Sequence, residues 1–121
     1  MAQVLIVDDT EIIRKALELA VRRMGHSAMS AGDAGQALTL AREQRPDLAL
    51  LDYRMEGTTG AELYHDLREE LGASCPRVVF VSATPSDEVA RAVEPIGPAA
   101  GYLKKPFQLD DLVRAVDQAL R

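Results

Sequence analysis

Three short runs of the chain, Val4–Val7, Leu48–Leu51 and Val78–Val81, are apolar at every position. A strand with one wet face alternates, so unbroken runs of this length predict strands covered on both faces, the pattern of a central parallel sheet. Between the runs the period changes. Ile12, Ile13, Ala16, Leu17, Ala20, Val21 and Met24 recur at helical spacing and predict an amphipathic helix with one apolar face, which Gly25 is placed to stop. Asp33 reads as the N-cap of a second helix that uses Ala34, Ala37, Leu38 and Ala41 before Pro46 bars continuation. Thr59-Gly60-Ala61-Glu62 has the spacing of a capping box and opens a third, which buries Leu63, Tyr64, Leu67 and Leu71. Thr84 as N-cap and Pro85 in the first turn start a fourth that Pro95 and Pro98 end early, and Leu109, Leu112, Val113, Val116 and Leu120 stripe a fifth. Ser27–Ala31 and Ala100–Lys104 complete the set as edge strands. Strand and helix thus alternate five times, which predicts an α/β fold: a doubly wound, open, five-stranded parallel sheet with right-handed crossovers and helices on both faces.

Composition narrows this without changing it. A chain of 121 residues with 47% hydrophobic and 27% charged positions is expected to form one domain, spanning residues 1–121, around a single core. The net charge of -5 argues against a nucleic-acid surface or an anionic membrane, both of which need clustered Lys and Arg. No apolar run approaches the ~20 residues of a membrane span, and no charged leader precedes a long apolar stretch, so a cytoplasmic location is expected. Cys75 is the one cysteine, which rules out an internal disulfide or a multi-thiolate metal site; beside Pro76 it reads as a packing residue.

The charged positions carry the chemistry. In a sheet of this class, ligands bind beyond the carboxyl ends of the strands where the strand order reverses; for the order 2-1-3-4-5 that point lies between strands one and three. Strand one runs straight into Asp8 and Asp9, and strand three into Asp52, so the topology gathers three carboxylates. Like charges at that density hold a proton or need a countercharge, and an all-oxygen donor set suits Mg²⁺ or Mn²⁺. Strand four ends at the hydroxyl of Ser82 and strand five runs into Lys104-Lys105-Pro106, groups suited to phosphoryl oxygens. A carboxylate beside a metal can act as a nucleophile and form an aspartyl phosphate; Asp52, alone at its strand end, is the candidate. The other acidic pair, Asp110-Asp111, falls at the start of the fifth helix, where the helix dipole accounts for it. His26 and His65 read as surface residues, and Lys104 as a solvated charge on an edge strand.

With "VLIVDD", "PDLALLDYRM", "VFVSA" and "GYLKKPF" at successive strand ends, the chain resembles a response-regulator receiver domain of two-component signalling over essentially its whole length. The resemblance implies a flavodoxin-like fold and a set of roles. Asp52 would accept a phosphoryl group from a histidine kinase or a histidine phosphotransfer protein. Asp9 and Asp52 would bind Mg²⁺ directly, joined by the backbone carbonyl of Arg54, with Asp8 acting through a coordinated water. Lys105 would contact the phosphoryl group, and its bond to Pro106 would be cis. Ser82 and Tyr102 would form the switch that reshapes the face of the fourth helix, fifth strand and fifth helix. The output would pass to a downstream effector protein or an output domain outside these residues, and a phosphorylation-dependent homodimer is within the family's repertoire. The chemistry would be self-catalysed phosphoryl transfer and autodephosphorylation, with no other enzymatic activity.

Three features depart from the family's commonest pattern. Glu56 stands where Pro is usual, so the segment 56–60 is expected to be looser or more acidic near the metal. Arg54 and Thr84 flank the pocket at positions that modulate phosphoryl lifetime in the family. Pro95 and Pro98 shorten the fourth helix. Two other readings of the same acids compete. A Mg²⁺-dependent phosphatase of haloacid-dehalogenase type also uses an aspartyl nucleophile, but its pattern resembles Asp-x-Asp, and this chain has Asp8-Asp9-Thr10 and Asp52-Tyr53-Arg54. A flavodoxin-like cofactor binder would meet repulsion between Asp8, Asp9 and a flavin phosphate.

Overall fold

The structure is a computed structural model and describes residues 1–121. Strands β1 (Gln3–Val7), β2 (Ser27–Ala31) and β3 (Leu48–Leu51) are followed by two short strands, β4 (Arg54–Met55) and β5 (Thr58–Thr59), and then by β6 (Arg77–Ser82) and β7 (Gly101–Lys104). The helices are α1 (Glu11–Arg23), α2 (Ala34–Gln44), α3 (Gly60–Leu71), α4 (Ser86–Val93) and α5 (Leu109–Ala119), with one 3-10 turn at Gly72–Ser74. The main sheet is parallel throughout, in the order β2-β1-β3-β6-β7, which is the predicted 2-1-3-4-5 once the small β4-β5 hairpin is set aside. No helix is long and apolar enough to cross a membrane.

The unbroken apolar runs divide their side chains between two cores. Leu5, Val7, Ala49, Leu51, Val78 and Phe80 pack with α2, α3 and α4, while Val4, Ile6, Leu48, Leu50, Val79 and Val81 pack with α1 and α5. The period-two alternation is therefore present, but it separates one dry layer from another instead of dry from wet. Burying each of the Val, Leu, Ile and Phe side chains among these is worth about 1.5–3 kcal/mol, which makes the sheet the rigid part on which the loops are carried.

The helix starts follow the caps read from the sequence in two instances. The Asp33 carboxylate accepts from the Gln36 amide at 2.8 Å, and the Thr59 hydroxyl accepts from the Glu62 amide at 3.2 Å. The Glu62 side chain does not complete a capping box; it accepts from the Thr58 hydroxyl instead. Gly25, at φ +95, ends α1 as expected.

Several expectations need correction. Ile12 and Ala16 lie off the buried stripe of α1, Ile12 being 80% exposed, because Ile13, Leu17, Ala20, Val21 and Met24 already fill the width the helix presents to the sheet. Leu109 is 57% exposed for the same reason: α5 packs through Leu112, Val116 and Ala119. Thr84 is buried and does not cap α4, whose N-cap position is Pro85 with no side-chain cap bond. Pro95 does hold α4 to eight residues. His26 is half-buried, its Nδ1 accepting from the Ala2 amide at 3.0 Å, so it is a tether for the chain's start and no free surface group.

Candidate functional site

Ladder hydrogen bonds continue one residue past the strands and set the acids in place. The Asp8 amide donates to Ala31 O at 3.3 Å, the Asp52 amide to Val7 O at 2.9 Å and the Lys105 amide to Ser82 O at 2.8 Å. The carboxyl ends of neighbouring parallel strands are thereby brought level. After β1 the chain turns to α1 on one face, and after β3 to α3 on the other, which opens a crevice between the two strand ends.

Asp8, Asp9 and Asp52 converge there, with one oxygen of each within 4.8 Å of the others. The surroundings of the three differ. Asp8 is 1% exposed, and its Oδ2 accepts from the Lys105 ammonium at 2.6 Å while Oδ1 accepts from the Thr10 amide at 2.9 Å. Asp52 is buried, and its Oδ2 lies 3.3 Å from the same ammonium. Asp9 is exposed, and its Oδ2 accepts from the Glu56 amide at 3.1 Å. Burial pushes the Asp52 carboxyl above its ordinary range; the Lys105 charge opposes this and the neighbouring Asp8 carboxylate reinforces it.

Asp8 and Asp52 share one ammonium while Asp9 meets only the Glu56 amide, and that donor set, all carboxylate oxygen with a deficit of positive charge, fits a hard divalent cation. Ser82 ends β6 buried beside this group, its hydroxyl accepting from the Thr84 amide at 3.2 Å. The backbone of Arg54, two residues after Asp52, enters the β4-β5 hairpin, and its guanidinium lies over the Tyr53 ring at 5.9 Å, on the exposed side. Lys105-Pro106 is cis, as expected. Lys104 is exposed and outside the group.

Tyr102 is not among the acids. It stacks on Phe80, with ring centroids 6.1 Å apart and planes 12° from parallel, and lines a cleft with Ala90, Arg91, Glu94 and Pro98 of the α4 side. Partial burial pushes its phenol upward from the ordinary range. Cys75 is half-buried, and burial likewise pushes its thiol up, which agrees with a packing role. Asp111 completes a capping box with Gln108 and pairs with Arg114 at 2.5 Å, so the second acidic pair is absorbed locally.

Three features of the site were not read from the sequence. The segment after Asp52 is no loose loop: Arg54 and Met55 pair with Thr58 and Thr59, and Gly57 turns the chain at φ +79. Gly57 followed by the β-branched pair Thr58-Thr59 was the available signal. Position 56 supplies an amide to Asp9, which a proline there has no N–H to do. Gly60 sits where a Cβ would strike the Asp52 carbonyl and the Phe80 ring, and its amide donates to Tyr53 O at 2.5 Å. Such close backbone approach admits no other residue without moving Asp52.

Comparison with known proteins agrees with this geometry. A family model described as response regulator receiver domain matches residues 4–117. The DNA-binding response regulator MtrA of Mycolicibacterium smegmatis is 35% identical over 119 residues, covering 98% of this chain and 50% of MtrA. The chain therefore spans about half the length of such relatives. The sensor histidine kinase AruS of Pseudomonas aeruginosa is also 35% identical over 119 residues, which cover 96% of this chain and 12% of AruS. Among solved structures, the chemotaxis protein CheY4 of Vibrio cholerae superposes with a TM-score of 0.91 at 28% identity, covering 99% of both chains. A LuxR-family two-component response regulator from Aurantimonas sp. SI85-9A1 gives 0.87 at 31% identity, covering 99% of this chain and 85% of that one.

Proposed function

The chain belongs to the response regulator receiver domain family, and from that premise we propose that Asp52 is the phosphoacceptor of a Mg²⁺-dependent switch formed by residues 1–121. Membership favours this over the haloacid-dehalogenase-type phosphatase. The observation that carries the assignment is the charge imbalance at the sheet end: three carboxylates within 4.8 Å, with Lys105 the one ammonium touching two of them.

Asp9, Asp52 and the backbone carbonyl of Arg54 would hold Mg²⁺, with Mn²⁺ an alternative, and Asp8 would reach it through water. When bound, the ion neutralises the acids and polarises the phosphoryl oxygens. An oxygen of Asp52 attacks phosphorus in line, a P–O bond forms as the P–N bond of a phosphohistidine breaks, and the leaving imidazole takes the electron pair and a proton. Lys105 moves from sharing Asp8 and Asp52 to meeting the new phosphoryl charge, and the Ser82 hydroxyl donates to a phosphoryl oxygen. Tyr102, stacked on Phe80 beside the α4 cleft, then turns further inward, which changes the surface offered to a partner.

The donor is a histidine kinase or histidine phosphotransfer protein, and the readout is an effector protein or an attached output domain, in the cytoplasm. MtrA carries about as much chain again beyond the matched part, which supports an output that lies outside these residues. The chain itself would bind no nucleic acid directly, and phosphorylation-dependent homodimerisation is one form the output could take.

The test is intact mass after incubation with Mg²⁺ and acetyl phosphate or phosphoramidate. The wild-type chain should gain one phosphoryl group, lose it on chelation of Mg²⁺ before mixing, and show no gain as Asp52→Asn. A gain that survives Asp52→Asn would move the acceptor elsewhere, and absence of a gain on the wild type would overturn the assignment.

A further inference from the structure

Arg14 reaches back from α1 to the acidic turn. Its Nη1 donates to the backbone carbonyl of Asp8 at 2.7 Å. That carbonyl belongs to the peptide joining Asp8 to Asp9, and a peptide is planar, so fixing its oxygen fixes the direction in which the Asp9 residue leaves the strand. Within the turn the Thr10 amide also donates to Asp8 Oδ1 at 2.9 Å, across Asp9, but the Asp8 carbonyl itself is held by Arg14. The N-cap residue of α1, Thr10, makes no side-chain cap bond, and the Asp9 carboxylate is tied by the 3.1 Å contact with the Glu56 amide. The remaining polar atoms of Asp8 are engaged elsewhere, its amide with Ala31 O and its carboxylate with Thr10 and Lys105.

Gly32 supplies a second, independent observation. Its φ lies outside the left-handed region, so its backbone does not require glycine. Its space is taken up by the guanidinium: a Cβ at position 32 would stand 3.0 Å from Arg14 Nη1 and 3.4 Å from Cζ and would push the guanidinium aside by a few tenths of an ångström. The smallest residue is present where the guanidinium has to pass.

We propose that Arg14, seated against Gly32, is a positioning residue for the divalent-cation site: it latches the Asp8–Asp9 peptide so that Asp9 faces Asp52. This rests on the reading of Asp9 and Asp52 as metal ligands. The sign of the effect separates geometry from charge. Deleting a cation beside a cation site favours the metal by Coulomb's law, so weaker binding after the loss of Arg14 reports lost orientation.

The experiment measures Mn²⁺ affinity of the full chain by the electron paramagnetic resonance signal of the free ion, with the metal-free thermal midpoint recorded alongside. Arg14→Ala should weaken binding roughly tenfold, as for a residue that orients a metal ligand. Arg14→Lys should recover most of the loss by restoring one donor. Gly32→Ala should weaken binding in the wild-type background and add nothing to Arg14→Ala, because both act on one latch. Unchanged or tighter binding in Arg14→Ala would overturn the latch while leaving the metal site standing, as would independent, additive effects of the two substitutions. A lower melting temperature with unaltered affinity would make Arg14 purely structural. If the wild-type chain takes up no Mn²⁺, the metal site and the latch fall together. Should Arg14→Ala fail to fold, Arg14→Lys and Gly32→Ala still decide the question.

Discussion

The two ends of the sheet hold similar residues and use them differently. At the amino end, Asp47, His26 and Arg77 line one cleft. Each is occupied by backbone: Asp47 accepts from the Gln3 amide at 2.8 Å, His26 from the Ala2 amide, and Arg77 donates to Ala119 O and Arg121 O at 2.8 and 2.7 Å, where it also meets the negative end of α5. At the carboxyl end, Asp8 and Asp52 share a single lysine and the neighbouring Asp9 meets only the Glu56 amide. An acid and a base in a cleft therefore do not make a site. What distinguishes the carboxyl end is charge left over once the local partners are counted, two of the acids being buried and so unable to borrow compensation from water.

The comparison is broken most directly at Lys105. Lys105→Ala leaves Asp8 and Asp52 without their common partner, and metal-free stability should fall by about 3 kcal/mol, a drop of about 10 °C in the melting temperature. Millimolar Mg²⁺ should return much of it. Thermal melts with and without Mg²⁺ check this, and a loss that Mg²⁺ leaves untouched would mean that the carboxyl end is as self-contained as the amino end.

Arg77→Ala is the counterpart. It frees two carbonyls at the end of α5 and should lower stability by about 1 kcal/mol, or about 4 °C, by the same amount with and without Mg²⁺. Any change in Mg²⁺ affinity would contradict the separation of the two ends.

Asp52→Asn should act in the opposite direction. Because burial holds the Asp52 carboxyl above its ordinary range, the folded chain keeps that proton more tightly than the unfolded chain. The destabilisation is absent below the unfolded carboxylate range, grows as the pH rises through it, and is complete above the raised folded value. Metal-free Asp52→Asn should accordingly melt a few degrees higher than the wild type near neutral pH, of order 1 kcal/mol. The advantage should vanish toward about pH 3, where both carboxyls are protonated. A scan of melting temperature against pH measures it, and a constant offset would show that charge is not its source.

The same contrast explains what could be read in advance. The sheet order and the meeting of Asp8, Asp9 and Asp52 were legible because apolar runs fix strands, and parallel topology fixes which strand ends are neighbours. Ile12 and Leu109 misled because helical spacing names a face without stating how much of it the sheet has room to cover. The hairpin at 54–59, the amide of Glu56 on Asp9 and the seat of Arg14 against Gly32 escaped for a different reason. Each depends on a backbone atom or on empty space, and neither leaves a mark in residue type. Gly32 comes nearest, as a glycine without a turn that needs one.

Lys105 lies 97 positions after Asp8 and 53 after Asp52. Translation delivers the acids early and their ammonium almost last. A nascent chain that has emerged only as far as β6 carries all three acids and lacks the lysine that joins Asp8 and Asp52. Docking of β7 thus supplies the ammonium last, and a half-made copy on the ribosome is electrostatically incomplete where Asp8 and Asp52 meet.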